Sequence, residues 1–513
     1  MKKILVVGLN TLMCLSGEAQ QANWQNLDLE KDSVFGISTE KTYLHLLKDK
    51  KPTNVIVAII DTGIDTLHED LRPILWTNQT DGSHGWNFIG SETGQEDVTH
   101  IAGFKNDFFD SLSYTLVPFV YRAGYEAHRK ATSVLAEKID AMKSLVKSLE
   151  FSDQIAGEIQ QKIHKHNPDS VDFANYIPQG ENEKKFLQIV RERLPEYKAW
   201  EDCKFCEIDN PIKLARYHLN HGLNISDEEP DTATGNADIG PDAIGMIANA
   251  NLVPYHGTHV AGIIGAVRNN GKGINGIADD VQIMMLKANG NIRELRDKNL
   301  ANAIIFAVDH GAKVINMSFG KPYSWDKKAV DNAVKYAMQK DVLLVHAAGN
   351  AGEDLDAVEH YPNPIYSDKS GCAEAWIEVG ASGWKDDSTL AAPFTNYGQT
   401  TVNVFAPGAQ IYSSIPGSKY ASYTGTSMAA PVVSGLAALI REYYPQLTAI
   451  DVKNIIYSSV TKVQHKVFVR DKNGVTQLVP FANICTTGGI VNAYTALKLA
   501  EKYSLYPKCR QNE

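Results

Sequence analysis

Val55-Ile56-Val57-Ala58-Ile59-Ile60 runs apolar and largely β-branched, then ends on Asp61-Thr62-Gly63. A strand without polar alternation is buried on both faces, as in a parallel sheet covered by helices. Similar runs recur at residues 281–286, 314–317, 342–345, 377–379 and 402–405. Helical patterns lie between several of them, at 295–310 and 326–339. Strands alternating with helices predict an α/β fold: a mostly parallel sheet with helices on both faces. Near the end, Val467-Phe468-Val469 and residues 475–479 flank Asn473-Gly474, a hairpin signal.

The stretch 91–250 breaks the alternation. Val134, Leu135, Ile139, Met142, Leu145, Val146 and Leu149 fall at helical spacing, and Ile155, Ile159 and Ile163 repeat it. Lys and Glu fill the other faces, which predicts an amphipathic helical subdomain with its own small core. The expected organisation is therefore a discontinuous main domain, 30–90 and 250–500, carrying an insertion at 91–250. Residues up to Thr53 read as a short polar lead-in.

Composition narrows the class. The chain has 513 residues, 43% apolar and 21% charged, with 38 Gly and 20 Pro. That is ordinary globular usage and excludes long disorder or collagen-like architecture. A formal charge of −10 lacks the basic face that phosphate backbones select, so nucleic acid is not an expected partner. Lys2 and Lys3, the apolar run 4–15 and small residues at Ser16, Gly17 and Ala19 form a secretory signal over 1–20. No later run is long enough to span a bilayer, so a protein exported to the periplasm, cell surface or medium is expected, without a transmembrane anchor. Besides Cys14, the cysteines are Cys203, Cys206, Cys372, Cys485 and Cys509. This sparse, odd set is no disulfide framework. Cys203-x-x-Cys206 reads as a local disulfide or structural thiols, because no second such pair exists to complete a zinc site.

Four short strings carry chemistry. Asp61 ends the first strand, at the sheet edge where α/β sites gather. Asp-Thr-Gly also marks aspartic proteases, but those need two such carboxylates and this chain has one. His256-Gly257-Thr258-His259-Val260-Ala261-Gly262 reads as a loop entering a closely packed helix. Its two histidines lack the Glu of a metalloprotease helix. Gly425-Thr426-Ser427-Met428-Ala429-Ala430-Pro431 places a serine at a helix start, where free N–H groups and the dipole favour an anion. A plain helix cap would explain Ser427, but not the small residues around it. His346-Ala347-Ala348-Gly349-Asn350 closes another strand with an amide, a turn residue or a donor to an oxyanion.

Together, in the order Asp, His, Asn, Ser, these strings resemble the subtilisin-like serine proteases. Val314-Ile315-Asn316-Met317-Ser318-Phe319-Gly320, Phe394-Thr395-Asn396-Tyr397-Gly398, Phe405-Ala406-Pro407-Gly408 and Gly489-Ile490-Val491-Asn492-Ala493 add to the resemblance. It implies an endopeptidase with Ser427 as nucleophile, His256 as base, Asp61 orienting the imidazole, and Asn350 in the oxyanion hole. It further implies that Ser318, Phe319 and Gly320, with Ala347, Ala348 and Gly349, pair with the substrate backbone. Protein or peptide substrates follow, and no cofactor is needed for the chemistry. No acidic residue lies in the substrate-pairing strings 318–320 and 347–349, so broad or apolar side-chain preference is expected. A catalytically silent binding relative is the competing reading, although all four positions are filled. The family spaces its Asp and His more tightly, so the insertion must leave and re-enter at the active-site edge and is expected to overhang the cleft. Asp70 and Asn270 match positions where family members bind calcium, which makes a structural calcium an expectation.

Overall fold

The computed structural model describes residues 22–88, 122–165, 167–194, 254–289, 295–324, 326–470 and 475–505, with the single positions 200, 204, 208 and 212. For 122–139, 141, 142, 192 and 193 only the backbone is described. Residues 1–20, Cys203, Cys206, Cys509 and Asn473-Gly474 lie outside the described residues.

Thirteen strands are described: β1 (Val55–Asp61), β2 (Gly85–Asn87), β3 (Val281–Lys287), β4 (Val314–Met317), β5 (Leu343–Ala347), β6 (Trp376–Ser382), β7 (Val404–Pro407), β8 (Ile411–Ile415), β9 (Lys419–Tyr423), β10 (Thr461–Lys462), β11 (Lys466–Arg470), β12 (Thr476–Pro480) and β13 (Gly489–Ile490). Nine form one sheet in the order β10-β13-β7-β6-β5-β4-β1-β3-β2. Every neighbouring pair is parallel except β10 with β13. The pairs β8–β9 and β11–β12 are separate antiparallel ribbons.

The continuous apolar reading of β1 has a direct cause. Val57 and Ile59 pack on one face with Val260, Ile263, Val433 and Leu436 of the helices Tyr255–Gly265 and Thr426–Tyr443. Ala58 and Ile60 pack on the other with Leu300, Ile304, Val330 and Val334 of Asp297–Asp309 and Lys327–Gln339. All four strand residues are fully buried, each Ile worth roughly 1.5–3 kcal/mol. The chain is thus α/β, with the central strand sandwiched between two helical layers.

The lead-in is not a polar tether. Trp24, Phe35, Ile37 and Leu47 are all buried. Trp24 meets Trp384 edge-on at 6.0 Å and its indole N–H donates to Gln410 O at 3.3 Å. Ile37 O accepts from Ala493 N at 2.7 Å. Scattered single aromatics show no period, which is why the sequence reads as polar there. Trp24→Ala is expected to cost about 3–5 kcal/mol, as for other buried large-to-small changes. Urea unfolding checks this; a loss under about 0.5 kcal/mol would show the segment to be dispensable.

Within 91–250 the described helices are Arg122–Ile163, Ser170–Asn175 and Glu181–Arg193. Ile155, Ile159, Phe173, Phe186, Leu187 and Trp200 form a hydrophobic cluster of their own. Asp169 caps the short middle helix in a reciprocal capping box. The side chains of Val134, Leu135, Ile139 and Met142, and the segments 89–121 and 213–253, lie outside the described residues.

Candidate active site

The carboxyl ends of β1, β4 and β5 carry Asp61, Ser318 and the turn to Asn350 to one edge of the sheet. Asp61 is the last residue of β1 and is 2% exposed. Its Oδ1 accepts from the Thr62 backbone N–H at 2.7 Å and from Thr62 Oγ1 at 3.1 Å. The chain then turns at Gly63, whose φ of +116° suits glycine. Across this turn lies Gly257, where an added Cβ would fall 2.1 Å from Gly63 O. The glycine after the histidine is what lets the helix start approach the strand end.

His256 sits in the first turn of helix Tyr255–Gly265. Its Nδ1 lies 2.8 Å from Asp61 Oδ1 and 2.9 Å from Oδ2. Burial disfavours the imidazolium, but the adjacent Asp61 charge and hydrogen bond outweigh it and raise the His256 pKa above its ordinary value. A ring that gives its Nδ1 proton to Asp61 keeps a lone pair on Nε2.

Ser427 is the second residue of helix Thr426–Tyr443. Pro431, four residues on, has no N–H to give back to the Ser427 carbonyl. That carbonyl instead accepts from Ser318 Oγ at 2.9 Å. In return Ser427 Oγ donates to Ser318 O at 3.0 Å. The hydroxyl is therefore directed to β4 in this state rather than to His256. The imidazole and carboxylate are brought into direct contact; the hydroxyl is tied to Ser318.

Asn350 is exposed, and its Oδ1 accepts from Thr426 N at 2.8 Å and Thr426 Oγ1 at 3.0 Å. This anchors the amide oxygen on the helix carrying Ser427, with the amide nitrogen near Gly425, 3.4 Å from where a Cβ would stand. Gly349 N donates to Thr426 Oγ1 at 3.0 Å. Ala347 and Ala348 are buried at the end of β5. Ser318 is buried, Phe319 half-buried and Gly320 exposed.

Several contributors carried no role in the sequence reading. Asn396 clamps the turn from below, its Nδ2 donating to Ala348 O at 2.8 Å while Oδ1 accepts from Ala351 N and Glu353 N. Its string was visible; its bonds needed the fold. Ser413 and Ser414 of β8 donate to His259 O and Thr258 O, and fill the space a Cβ on Gly262 would need. The two histidines do not share a ligand position. His259 Nε2 is 3.1 Å from Ala421 O, the ring stacks on Tyr423, and burial pushes its pKa down to about 3.

Asp70 and Asn270 also meet, but as a closed pair. Asn270 Nδ2 donates to Asp70 Oδ1 at 2.5 Å and Tyr420 OH to Oδ2 at 3.3 Å. Lys272 pairs with neighbouring Glu69. In this arrangement the Asp70 carboxylate faces amide and hydroxyl donors, and Glu69 beside it is paired with an ammonium.

The Subtilase family model matches residues 52–474. Thermophilic serine proteinase of Bacillus sp. (strain AK1) is 42% identical over 185 residues, 36% of this chain and 42% of that protein. Thermitase of Thermoactinomyces vulgaris is 40% identical over 185 residues, 36% and 60% of the two lengths. Subtilisin DY of Bacillus licheniformis is 35% identical over 208 residues, 40% and 71%. The match thus spans less than two thirds of the first two relatives.

Proposed function

The chain belongs to the subtilase family, and from that premise we propose that it is a serine endopeptidase acting on peptide bonds of proteins or peptides. The observation that carries this reading is the His256 ring held through Nδ1 on the buried Asp61 carboxylate; Ser427, in the first turn of a helix, supplies the hydroxyl. Ser427 attacks the scissile carbonyl. His256 Nε2 takes the hydroxyl proton and returns it to the leaving amine; Asp61 fixes the tautomer and stabilises the imidazolium. The Ser427–Ser318 bond must first open, a rearrangement in keeping with the looser catalytic hydrogen bonds of unliganded sites. Water then repeats the cycle on the acyl-enzyme.

Asn350 Nδ2 and the Ser427 N–H receive the oxyanion. Asn350→Ala is expected to lower kcat by about 10²–10³, with little change in KM, the size known for this type of donor in subtilisin. Steady-state kinetics on a peptide substrate check this; a change in KM alone would give Asn350 a binding role instead. Ser318, Phe319 and Gly320, with Ala347, Ala348 and Gly349, flank the cleft as substrate-pairing backbone.

A fluorophosphonate probe tests the mechanism directly. It is expected to modify the wild-type chain on the peptide containing Ser427, as read by mass spectrometry. An unmodified Ser427 in folded protein would remove the nucleophile from this scheme. Export accompanies the proposal, on the signal-like residues 1–20; among the described residues no helix is long and apolar enough to cross a membrane.

A further inference from the structure

Beneath the proposed cleft lies a second cluster of ionisable groups that the hydrolytic scheme leaves unused. His346 of β5 and Glu378 of β6 are direct partners in the parallel register, so their side chains share a face. His346 Nδ1 lies 2.8 Å from Glu378 Oε1, and Trp376 Nε1 donates to Glu378 Oε2 at 3.0 Å. The third member, His360, comes from the segment joining these strands. Its neighbour Tyr361 exchanges two backbone hydrogen bonds of 2.8 Å with Lys321, which lays the His360 ring against Gly320. A Cβ on Gly320 would stand 2.0 Å from His360 Cε1, and one on Gly349 would stand 3.4 Å from Nε2.

Two observations give this cluster a ligand-binding character. One donor atom from each of His346, His360 and Glu378 lies within 4.8 Å of the others. In addition, His346 Nε2 and His360 Nδ1 are buried without a hydrogen-bond partner among the described residues. Buried nitrogens of this kind are paired in most proteins, and each unpaired one calls for an explanation. His346 Nδ1 and Glu378 Oε1 already face each other at 2.8 Å, so an ion taken up between them displaces the proton of that hydrogen bond.

We propose that His346, His360 and Glu378 form a binding site for a divalent transition metal of the zinc class. Two imidazoles and a carboxylate are a zinc donor set, whereas hard cations such as calcium and magnesium select oxygen alone. Donors about 2.0–2.1 Å from one tetrahedral ion stand roughly 3.3 Å apart. Closing from the observed span takes on the order of an ångström of movement.

The test uses the full chain carrying Ser427→Ala, which prevents self-digestion, stripped with a chelator and titrated with Co²⁺. Visible d–d absorption is expected to saturate at one equivalent and to be bleached by Zn²⁺. Adding His360→Ala, a change at a half-buried position that spares the β5–β6 pair, is expected to weaken Co²⁺ binding at least tenfold while circular dichroism and Tm show the fold retained. Glu378→Gln is expected to weaken it as well. A parent chain with no d–d absorption, or a folded His360→Ala chain with an unchanged titration curve, overturns the assignment. None of these readouts needs peptide hydrolysis, so the site stands or falls separately from the serine mechanism.

Discussion

Ser427→Ala is expected to reduce kcat on a peptide substrate by on the order of 10⁶, the loss known for removing the nucleophile from subtilisin. The hydroxyl of neighbouring Ser318 does not replace it. Ser318 Oγ, the adjacent hydroxyl, is committed as a donor to the Ser427 carbonyl. Pro431 leaves that carbonyl without its helical partner, so Ser318 has a structural duty that alanine at 427 does not release. The same bond predicts that the variant keeps its fold, because it loses only the Ser427 Oγ–Ser318 O contact. One partly exposed hydrogen bond contributes about 0.5–1.5 kcal/mol. Residual hydrolysis of about 10³–10⁴ over water is expected from the oxyanion donors and binding. A kcat reduced less than about tenfold would show that another residue is the nucleophile.

How much of this was legible beforehand follows from where the physical signal lies. β1 was readable because burial on both faces erases polar alternation, and because its last residue is charged. Asp61, His256, Asn350 and Ser427 stood out because small residues cluster around each, and the fold explains two of those residues: Gly257 under Gly63, and Gly262 against Ser413 and Ser414. The apolar run 402–405 starts two residues ahead of the strand at Val404, since Val402 is equally buried but donates its N–H back to Gly398 O instead of joining the sheet. Trp24 and Phe35 were missed because isolated aromatics have no period. The His346–Glu378 pair was missed for a different reason. Each residue interrupts an apolar strand once, and only the β5–β6 register reveals that the two interruptions coincide.

The same dependence on long-range pairing sets the second large effect, at Asp61. Asp61→Asn is expected to lower kcat by about 10⁴, since an amide no longer fixes the tautomer that leaves His256 Nε2 free. Its distinguishing mark is the pH profile. In the wild type the neutral imidazole is the base, so kcat/KM rises with pH through the His256 pKa, which Asp61 holds above the ordinary 6.5. Asparagine removes the charge that opposes burial, while burial itself stays; the acid limb of the variant is therefore expected to move to lower pH. The stability linkage has a definite sign. A folded-state pKa raised above the unfolded one stabilises the fold below the unfolded value, and the contribution is lost as pH rises through the folded value. Asp61→Asn is accordingly expected to cost more stability at pH 5 than at pH 8, read as the difference in urea midpoints. An acid limb that stays in place, with kcat nonetheless reduced, would mean that Asp61 orients the ring without setting its charge.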